Sequence, residues 1–399
     1  MSEQDLSQSM VNSLQDEIVL LRDECEQYQN EIALLQSECE SYQKVIKEMQ
    51  GNWEEFSDLL NIWEKEKAEL LFHINRKSDY EPFRSWSGGF EVWQTYFREN
   101  YSSITKRSND LKQGLDKESC EIIDLIMERN FFVFPQQKYI DYFLVNHRSL
   151  LTDRERMGCF YNTQAVLDIK EKYHLPDSYI PEPTVMEYHS GLTILPDNIQ
   201  KSIKGRDVLD GGALCGDSSL MFCLYSPGKI FAFEPVPESF DNLVSVIEAN
   251  NQSDVIIPVK MGLGDKSEIS KLFCYDGAVM SSNMAGMSHS MRAVDKITEI
   301  PMDMTTIDKF TAEHNLDVGL IKLDIEGNEL AAIHGAIDTI KKYRPILLIA
   351  LYHTPQDFFE IKPLLENLIP EYRFLVRKLS CTEMELVTEV TLIGYVDEG

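Results

Sequence analysis

The chain has 399 residues with 38 basic against 66 acidic side chains, a formal charge of −28. That length predicts two or three structural units, and the acidity argues against a nucleic-acid partner, because phosphate binding needs a basic footprint. Eight cysteines are scattered with no CxxC pair, which fits reduced buried thiols better than a zinc site or a disulfide set.

The opening residues, MSEQDLSQSMVN, carry no basic n-region and no apolar core, so no secretory signal is expected. The longest apolar run, Ile346 to Tyr352, falls far short of the about 20 residues that cross a bilayer, so no transmembrane segment is expected. A cytoplasmic chain follows, with a place at the periphery of a membrane-associated assembly complex as an extension of that reading.

From Val11 to Leu70 apolar residues recur at spacings of three and four, through Ile18, Leu21, Cys25, Tyr28, Ile32 and Leu35. A seam sustained over this many heptads predicts a coiled coil over residues 1–77. Within it EIVLLRDECEQYQN and EIALLQSECESYQK are a near-exact duplication. Glu17, Glu24, Glu31 and Glu38 fall at g-type positions, and Arg22, Gln29, Gln36 and Gln43 at e-type positions. Parallel pairing sets Glu against Arg or Gln, whereas antiparallel pairing sets Glu against Glu, so a parallel homo-oligomer, first of all a dimer, is expected. An unbroken rod would be about 90 Å long at 1.5 Å per residue. The alternative is a helical hairpin within one chain, with a break near Gly51.

Residues 78–183 read as a linker and helical support. Pro82, Ser85, Ser87, Gly88 and Gly89 mark a turn. Beyond it LDKESCEIIDLIMER places Leu115, Ile122, Ile126 and Met127 near one helix face, and Tyr139 to Leu151 is a second amphipathic run. VMEYHSGLTILP, with Ser-Gly between two apolar runs, predicts a β-hairpin leading into a domain over residues 184–399.

From Arg206 onward strand and helix signals alternate, the pattern of an α/β sheet. Strands are expected at Asp207 to Gly211, Lys229 to Phe233, Val255 to Met261, Gly319 to Leu323 and Ile346 to Leu351. Tyr372 to Leu379 and Val387 to Val396 look like a closing antiparallel pair. Helices are expected at Ser218 to Tyr225, Pro237 to Asn250, Asn328 to Tyr343 and Phe358 to Leu368, with Asp217 and Ser218 capping the first. Between the third and fourth strands, β-like pieces flank GAVMSSNMAGMSHS, a Met-rich loop that is either a substrate lid or a plain surface loop.

DVLDGGALCGD is a strand, a glycine turn and a helix start, and Glu234 closes the next strand in FAFEP. Ligands of open α/β sheets sit at the carboxyl ends of strands, and a carboxylate there can accept from both hydroxyls of a ribose. The reading is a nucleoside-cofactor site. By itself the turn is shared with nicotinamide-binding proteins, but GGALCG lacks the GxGxxG spacing. Asp324, Glu326 and Glu329 cluster just past the fourth strand, and His353 follows the fifth at the same edge. Each has two roles open to it: Asp324 as base or as holder of its turn, Glu326 in base or substrate duty or capping, Glu329 in chemistry or on the helix dipole, and His353 as proton acceptor or bound to backbone. Cys215, inside the turn, is expected to pack.

Taken together, GGALCG, EPVPESFDNL, the GLGD turn at Gly262 to Asp265, IKLDIEGNE and RPILLIALYH resemble the FkbM-type family of S-adenosylmethionine-dependent methyltransferases, over about Glu187 to Val396. The resemblance implies a class I methyltransferase fold, a seven-stranded Rossmann-like sheet with its last strand antiparallel. It further implies that Asp210, Gly212 and Gly216 shape the loop around the methionine moiety, that Glu234 holds the ribose, and that Gly264 and Asp265 flank the adenine. Leu214 and Val236 depart from the family, which often carries a polar or aromatic residue and Asn there.

The function that follows is methyl transfer from S-adenosylmethionine to an oxygen, first of all a hydroxyl of a sugar or glycan precursor, with Asp324, Glu326 or His353 as catalytic groups. Loss of the hydroxyl proton calls for a general base, typically worth about 10²–10⁴-fold. Converging carboxylates leave a divalent metal open, although no ligand spacing singles one out. Lipid, polyketide or protein acceptors are the alternatives within the chemistry, and an inert coiled-coil scaffold is the alternative outside it. The coiled coil is expected to present the enzyme to a glycan-assembly partner.

Overall fold

A computed structural model describes residues 87–130, 169, 172–176, 179, 181–275, 278–281, 297–380 and 387–397. The expected coiled coil, the run from Tyr139 to Leu151 and most of the Met-rich loop lie outside the described residues. Among the described residues no helix is long and apolar enough to cross a membrane.

Among the described residues three helices come first, α1 (Ser87–Glu99), α2 (Ile104–Lys112) and α3 (Lys117–Glu128). Asp116 caps α3 through Ser119 N–H, and Ile123 and Ile126 are its fully buried apolar residues. Leu115, Ile122 and Met127 are only partly covered, so the buried face is rotated from the expected one by the unforeseen Ile123.

The predicted hairpin does not form. Its residues are a short helix α4 (Pro183–Met186) and a 3₁₀ stretch, His189–Ile194, kinked where Ser190 and Gly191 adopt positive φ. Met186, Leu192, Leu195 and Ile199 are buried in one cluster. Spacings of three, four and six along the chain let short helical turns bury them on one side, which alternation in a strand would not.

The sheet follows the expected order of strands: β1 (Asp207–Gly211), β2 (Ile230–Phe233), β3 (Ile256–Val259), then β8 (Val318–Leu323), β9 (Ile346–Ala350), β10 (Arg373–Lys378) and β11 (Val390–Tyr395). Its seven strands lie in the order β10-β11-β9-β8-β1-β2-β3, with only β11 antiparallel to its neighbours. A second sheet, β4-β7-β5-β6, is formed by β4 (Gly262–Leu263), β5 (Ile269–Tyr275), β6 (Ala278–Ser281) and β7 (Ile297–Thr305).

Period-two alternation builds a core on each face of the large sheet. Leu209, Phe231, Phe233, Ile321, Leu323, Leu347 and Ile349 join one cluster, with Trp93 and Phe97 of α1 and Phe358 and Phe359 of α11 (Pro355–Leu368). Val208, Ile230, Ala232, Leu320, Ile346 and Leu348 join the other, with α6 (Asp217–Phe222) and α7 (Pro237–Ala249). The short α5 (Asp197–Gln200) adds Ile199 to this second face. On the first face, α8 (Ile307–His314) contributes Ile307 and Phe310.

The helix expected over Asn328 to Tyr343 is broken into α9 (Glu329–His334) and α10 (Ile337–Tyr343). Gly335 marks the break: a Cβ there would stand 2.2 Å from the Gly264 carbonyl oxygen, and its own carbonyl accepts from Asp308 N–H at 2.8 Å. A helix carried straight through would lose that close backbone approach.

Candidate active site

β1 carries Asp210 into a sheet covered on both faces, so its fully buried carboxylate must be satisfied inside the protein. Oδ2 accepts from Ser218 Oγ at 2.7 Å and Ser219 Oγ at 2.6 Å, and Oδ1 lies 3.4 Å from Lys322 Nζ. The turn after β1 folds back on β2, with the N–H groups of Gly212 and Ala213 both donating to Phe233 O at 3.0 Å. Gly212 has φ 76°, and a Cβ there would meet Asp324 O at 1.8 Å, so the position admits only glycine. Gly216 leads into α6 without a side-chain cap. The capping expected of Asp217 and Ser218 is not made, because both are buried and satisfy interior partners instead. Ser218 donates to Asp210, and Asp217 Oδ2 accepts the Tyr179 hydroxyl. Cys215 is buried in the core, and burial pushes its thiol well up, away from thiolate chemistry.

Glu234 stands just past β2 with both oxygens held by backbone: Oε1 accepts Val236 N–H at 2.8 Å and Oε2 accepts Leu214 N–H at 3.0 Å. Burial raises its carboxyl to about 7, against those two amides and the Lys322 charge, which favour the ionised form. Each oxygen keeps a lone pair for a further donor. Leu214, in the turn beside it, has φ 46° and leaves 51% of its surface exposed.

Past β8 the chain turns through Asp324, Ile325, Glu326 and Gly327 into α9. Asp324 N–H donates to Gly211 O at 3.1 Å, which locks this turn to the glycine turn. Asp324 Oδ1 accepts the Tyr352 hydroxyl at 3.1 Å. Glu326 takes the left-handed backbone, φ 58°, and its side chain stays 49% exposed. Opposite, Thr354 caps α11 through Asp357 N–H, with Pro355 in the first helical turn, and this fixes His353 at the edge.

His353 Nδ1 lies 2.8 Å from Glu329 Oε1, and its Nε2 lies 3.5 Å from Asp324 Oδ1 and 3.7 Å from Glu326 Oε2. Burial opposes a charge on the ring, but the Glu329, Glu326 and Asp324 carboxylates outweigh it and hold its pKa well above the usual value. These carboxylates favour the protonated ring, which bonds Glu329 through Nδ1. The bond expected to backbone is not the one made: Nδ1 is held by the Glu329 carboxylate, and Nε2 faces Asp324 and Glu326. Glu329, fully buried, accepts from Ile325 N–H at 2.7 Å as well as from His353, so it orients the histidine.

The structure thus brings Asp210, Gly212, Gly216, Glu234, Asp324, Glu326 and His353 to one edge of the sheet. It does not join Gly264 and Asp265 to them by any hydrogen bond or ion pair among the described residues. Gly264 is packed against Met304 and Asn328, and Asp265 is exposed, 3.6 Å from Lys266 Nζ. Sequence reasoning missed Lys322, Tyr352 and Tyr179. Of these Lys322 had a signal, a lone cation inside the otherwise apolar strand VGLIKL, where both faces are covered.

The residues fit S-adenosylmethionine. Glu234 is held in place with lone pairs to spare for ribose hydroxyls, the turn above it is closed by glycine, and the exposed Leu214 offers an apolar contact. A divalent cation has three candidate ligands in Asp324, Glu329 and His353, one atom of each lying within 4.8 Å of the others. Glu329 and His353 already bond each other there, so a cation would have to displace the proton of that bond.

Residues 210–379 match the Methyltransferase FkbM domain model. Methyltransferase 1 of Beauveria bassiana (strain ARSEF 2860) is 28% identical over 179 residues, covering 40% of this chain and 70% of that protein. A crystal structure of methyltransferase FkbM from Methylobacillus flagellatus KT aligns with TM-score 0.46 and 17% identity over 76% of this chain, which spans 61% of that one. An O-methyltransferase from Bacillus cereus in complex with SAH aligns with TM-score 0.31 and 14% identity, over 59% of this chain and 90% of that one. Residues 210–379 thus carry a match to the Methyltransferase FkbM domain, set on a class I sheet of order β10-β11-β9-β8-β1-β2-β3.

Proposed function

We propose that the protein transfers the methyl group of S-adenosylmethionine to an oxygen, the hydroxyl of a sugar or glycan precursor. One observation supports this reading above the rest: the glycine turn, which holds Glu234 through Leu214 N–H, is bonded to the turn that carries Asp324, Asp324 N–H to Gly211 O. A donor held by the first would lie beside the carboxylate of the second.

When bound, S-adenosylmethionine supplies an electrophilic methyl on a sulfonium. Glu234 would accept from the ribose hydroxyls, and Gly212 and Gly216 would leave room for the methionine end. Asp324 would take the proton from the acceptor hydroxyl as attack proceeds. Tyr352, whose phenol burial and the Asp324 charge keep protonated, would hold that carboxylate in place. A protonated His353 would keep Glu326 and Asp324 from repelling each other, and position matters more than added negative charge because the sulfonium loses its charge in the step. Glu326, at the open side, would accept from a second hydroxyl of the acceptor.

Calorimetry with S-adenosylhomocysteine tests the cofactor half. The wild type should bind, Glu234→Ala should bind at least tenfold more weakly, and an intact wild type that does not bind ends the proposal. Asp324→Asn should bind as the wild type does and turn over about 10²–10⁴-fold more slowly, the range of a lost general base. Mass spectrometry of cell-surface glycans with and without the protein tests the acceptor, and an unchanged methylation pattern would count against a glycan.

A further inference from the structure

We propose that Lys322 is a positioning residue that locks the donor turn to the turn bearing Asp324, through its ammonium bonds to the carbonyls of Gly211 and Gly212. The inference rests on the reading of that edge as the methyl-donor site. Lys322 is buried in β8 and lies in register beside Asp210 of β1. Its Nζ donates to Gly211 O at 3.1 Å and to Gly212 O at 2.8 Å, and stands 3.4 Å from Asp210 Oδ1. All three acceptors lie on consecutive residues of β1 and its turn. A lysine ammonium has three donors, and two of them bond carbonyls of that short segment.

Two features separate this from plain charge neutralisation. Asp210 Oδ1 makes no hydrogen bond although it is buried, while both carbonyls are within good bonding distance of the ammonium, so the cation is spent on backbone more than on the carboxylate. Both carbonyls also sit where β1 and β8 separate. Gly211 O is shared with Asp324 N–H, and Gly212 lies in backbone contact with Asp324. Lys322, two residues before Asp324, therefore ties the strand that delivers the acid to the turn that would hold the donor. Misplacement of such groups by about 1 Å can cost about 10²-fold in rate.

The charge-only alternative makes a different forecast. Removing Lys322 leaves Asp210 as an uncompensated buried charge, and restoring neutrality with Asp210→Asn should then undo the damage. Three proteins, Lys322→Met, Asp210→Asn and the double variant, are compared with the wild type by hydrogen exchange of the unliganded protein and by S-adenosylhomocysteine calorimetry. The expected result is faster exchange in peptides spanning 210–216 and 324–329 in both Lys322→Met proteins, with β9 and β11 protected as in the wild type. Affinity in the double variant should fall at least tenfold below that of Asp210→Asn alone. A double variant that matches Asp210→Asn in both measurements overturns the proposal. If the single Lys322→Met protein does not fold, the double variant carries the comparison, because its buried pair is neutral. If the wild type binds no S-adenosylhomocysteine, the donor-site reading fails, and the exchange pattern still decides whether Lys322 holds the two turns together.

Discussion

Glu234 carries a titration as well as a contact. Burial raises its carboxyl from 4.5 to about 7, so without ligand the folded protein holds a proton that the unfolded chain has released. Stability from this group is therefore fully present at low pH and declines as pH rises from the ordinary carboxylate range to about 7. Ribose hydroxyls donate to the ionised form and pull the carboxyl back down. Binding should accordingly release a proton when the pH lies below about 7. S-adenosylhomocysteine affinity should rise as pH is raised toward about 7 and then level off. Calorimetry in buffers of different ionisation heat should detect a proton released at about pH 6 and little at about pH 8.5. Proton uptake at the lower pH, or an affinity indifferent to pH across that range, would contradict the ribose role.

At the scale of elements, α3 is fastened to β10 by polar contacts. Arg377 grips Asp116 with two bonds, Nη1 to Oδ1 at 3.2 Å and Nη2 to Oδ2 at 2.6 Å, and Ser119 Oγ accepts from Val376 N–H at 2.8 Å. The Arg377 bond holds the Asp116 carboxyl well below the usual carboxylate range. A depressed acid stabilises the fold above its unfolded pKa and loses that contribution as pH falls below about 4. Arg377→Met should cost about 1–2 kcal/mol at neutral pH, after allowance for the partial exposure of Asp116. It should also flatten the acid side of the stability curve. Urea unfolding at about pH 7 and about pH 3 measures both, and an equal loss at the two pH values would show that the contact is packing alone. None of this junction was legible in the sequence, because Asp116 and Arg377 are polar residues with nothing local to pair them. The strands were legible, since each carries its own apolar run and turn signals. The acids after β8 and His353 after β9 were placed at one edge by topology alone. What escaped was set by distant partners: the grip of Glu329 on His353, the break at Gly335 by the Gly264 carbonyl, and the helical turns after Pro183 by burial against the sheet. Lys322 is visible in the sequence as the lone cation of an apolar strand, but the carbonyls it bonds, Gly211 and Gly212, are more than a hundred residues away and only the fold brings them beside it.

For the whole molecule, the described residues from Ser87 onward close their own core. Trp93 packs edge-on to Phe358 with ring centroids 5.3 Å apart, and Tyr96 stacks on Phe359 at 5.5 Å, so α1 is anchored to α11 within this part of the chain. We propose that the apolar heptad pattern read in the sequence of residues 1–77 serves association. Its Glu positions opposite Arg or Gln favour a parallel pair, and its Cys and Tyr seam residues specify the number of strands weakly. Deleting residues 1–75 should therefore halve the mass measured by light scattering while leaving the thermal midpoint and S-adenosylhomocysteine affinity of the remainder unchanged. An unchanged mass would remove the oligomer from the proposal. A lost affinity would show that the donor site depends on the segment, and would reassign it from an assembly element to part of the enzyme. If mass halves and affinity holds, methylation in the cell becomes the deciding measurement. A truncated enzyme that is active in dilute solution but no longer modifies its acceptor in cells is the result expected of a segment that delivers the domain to an assembly partner.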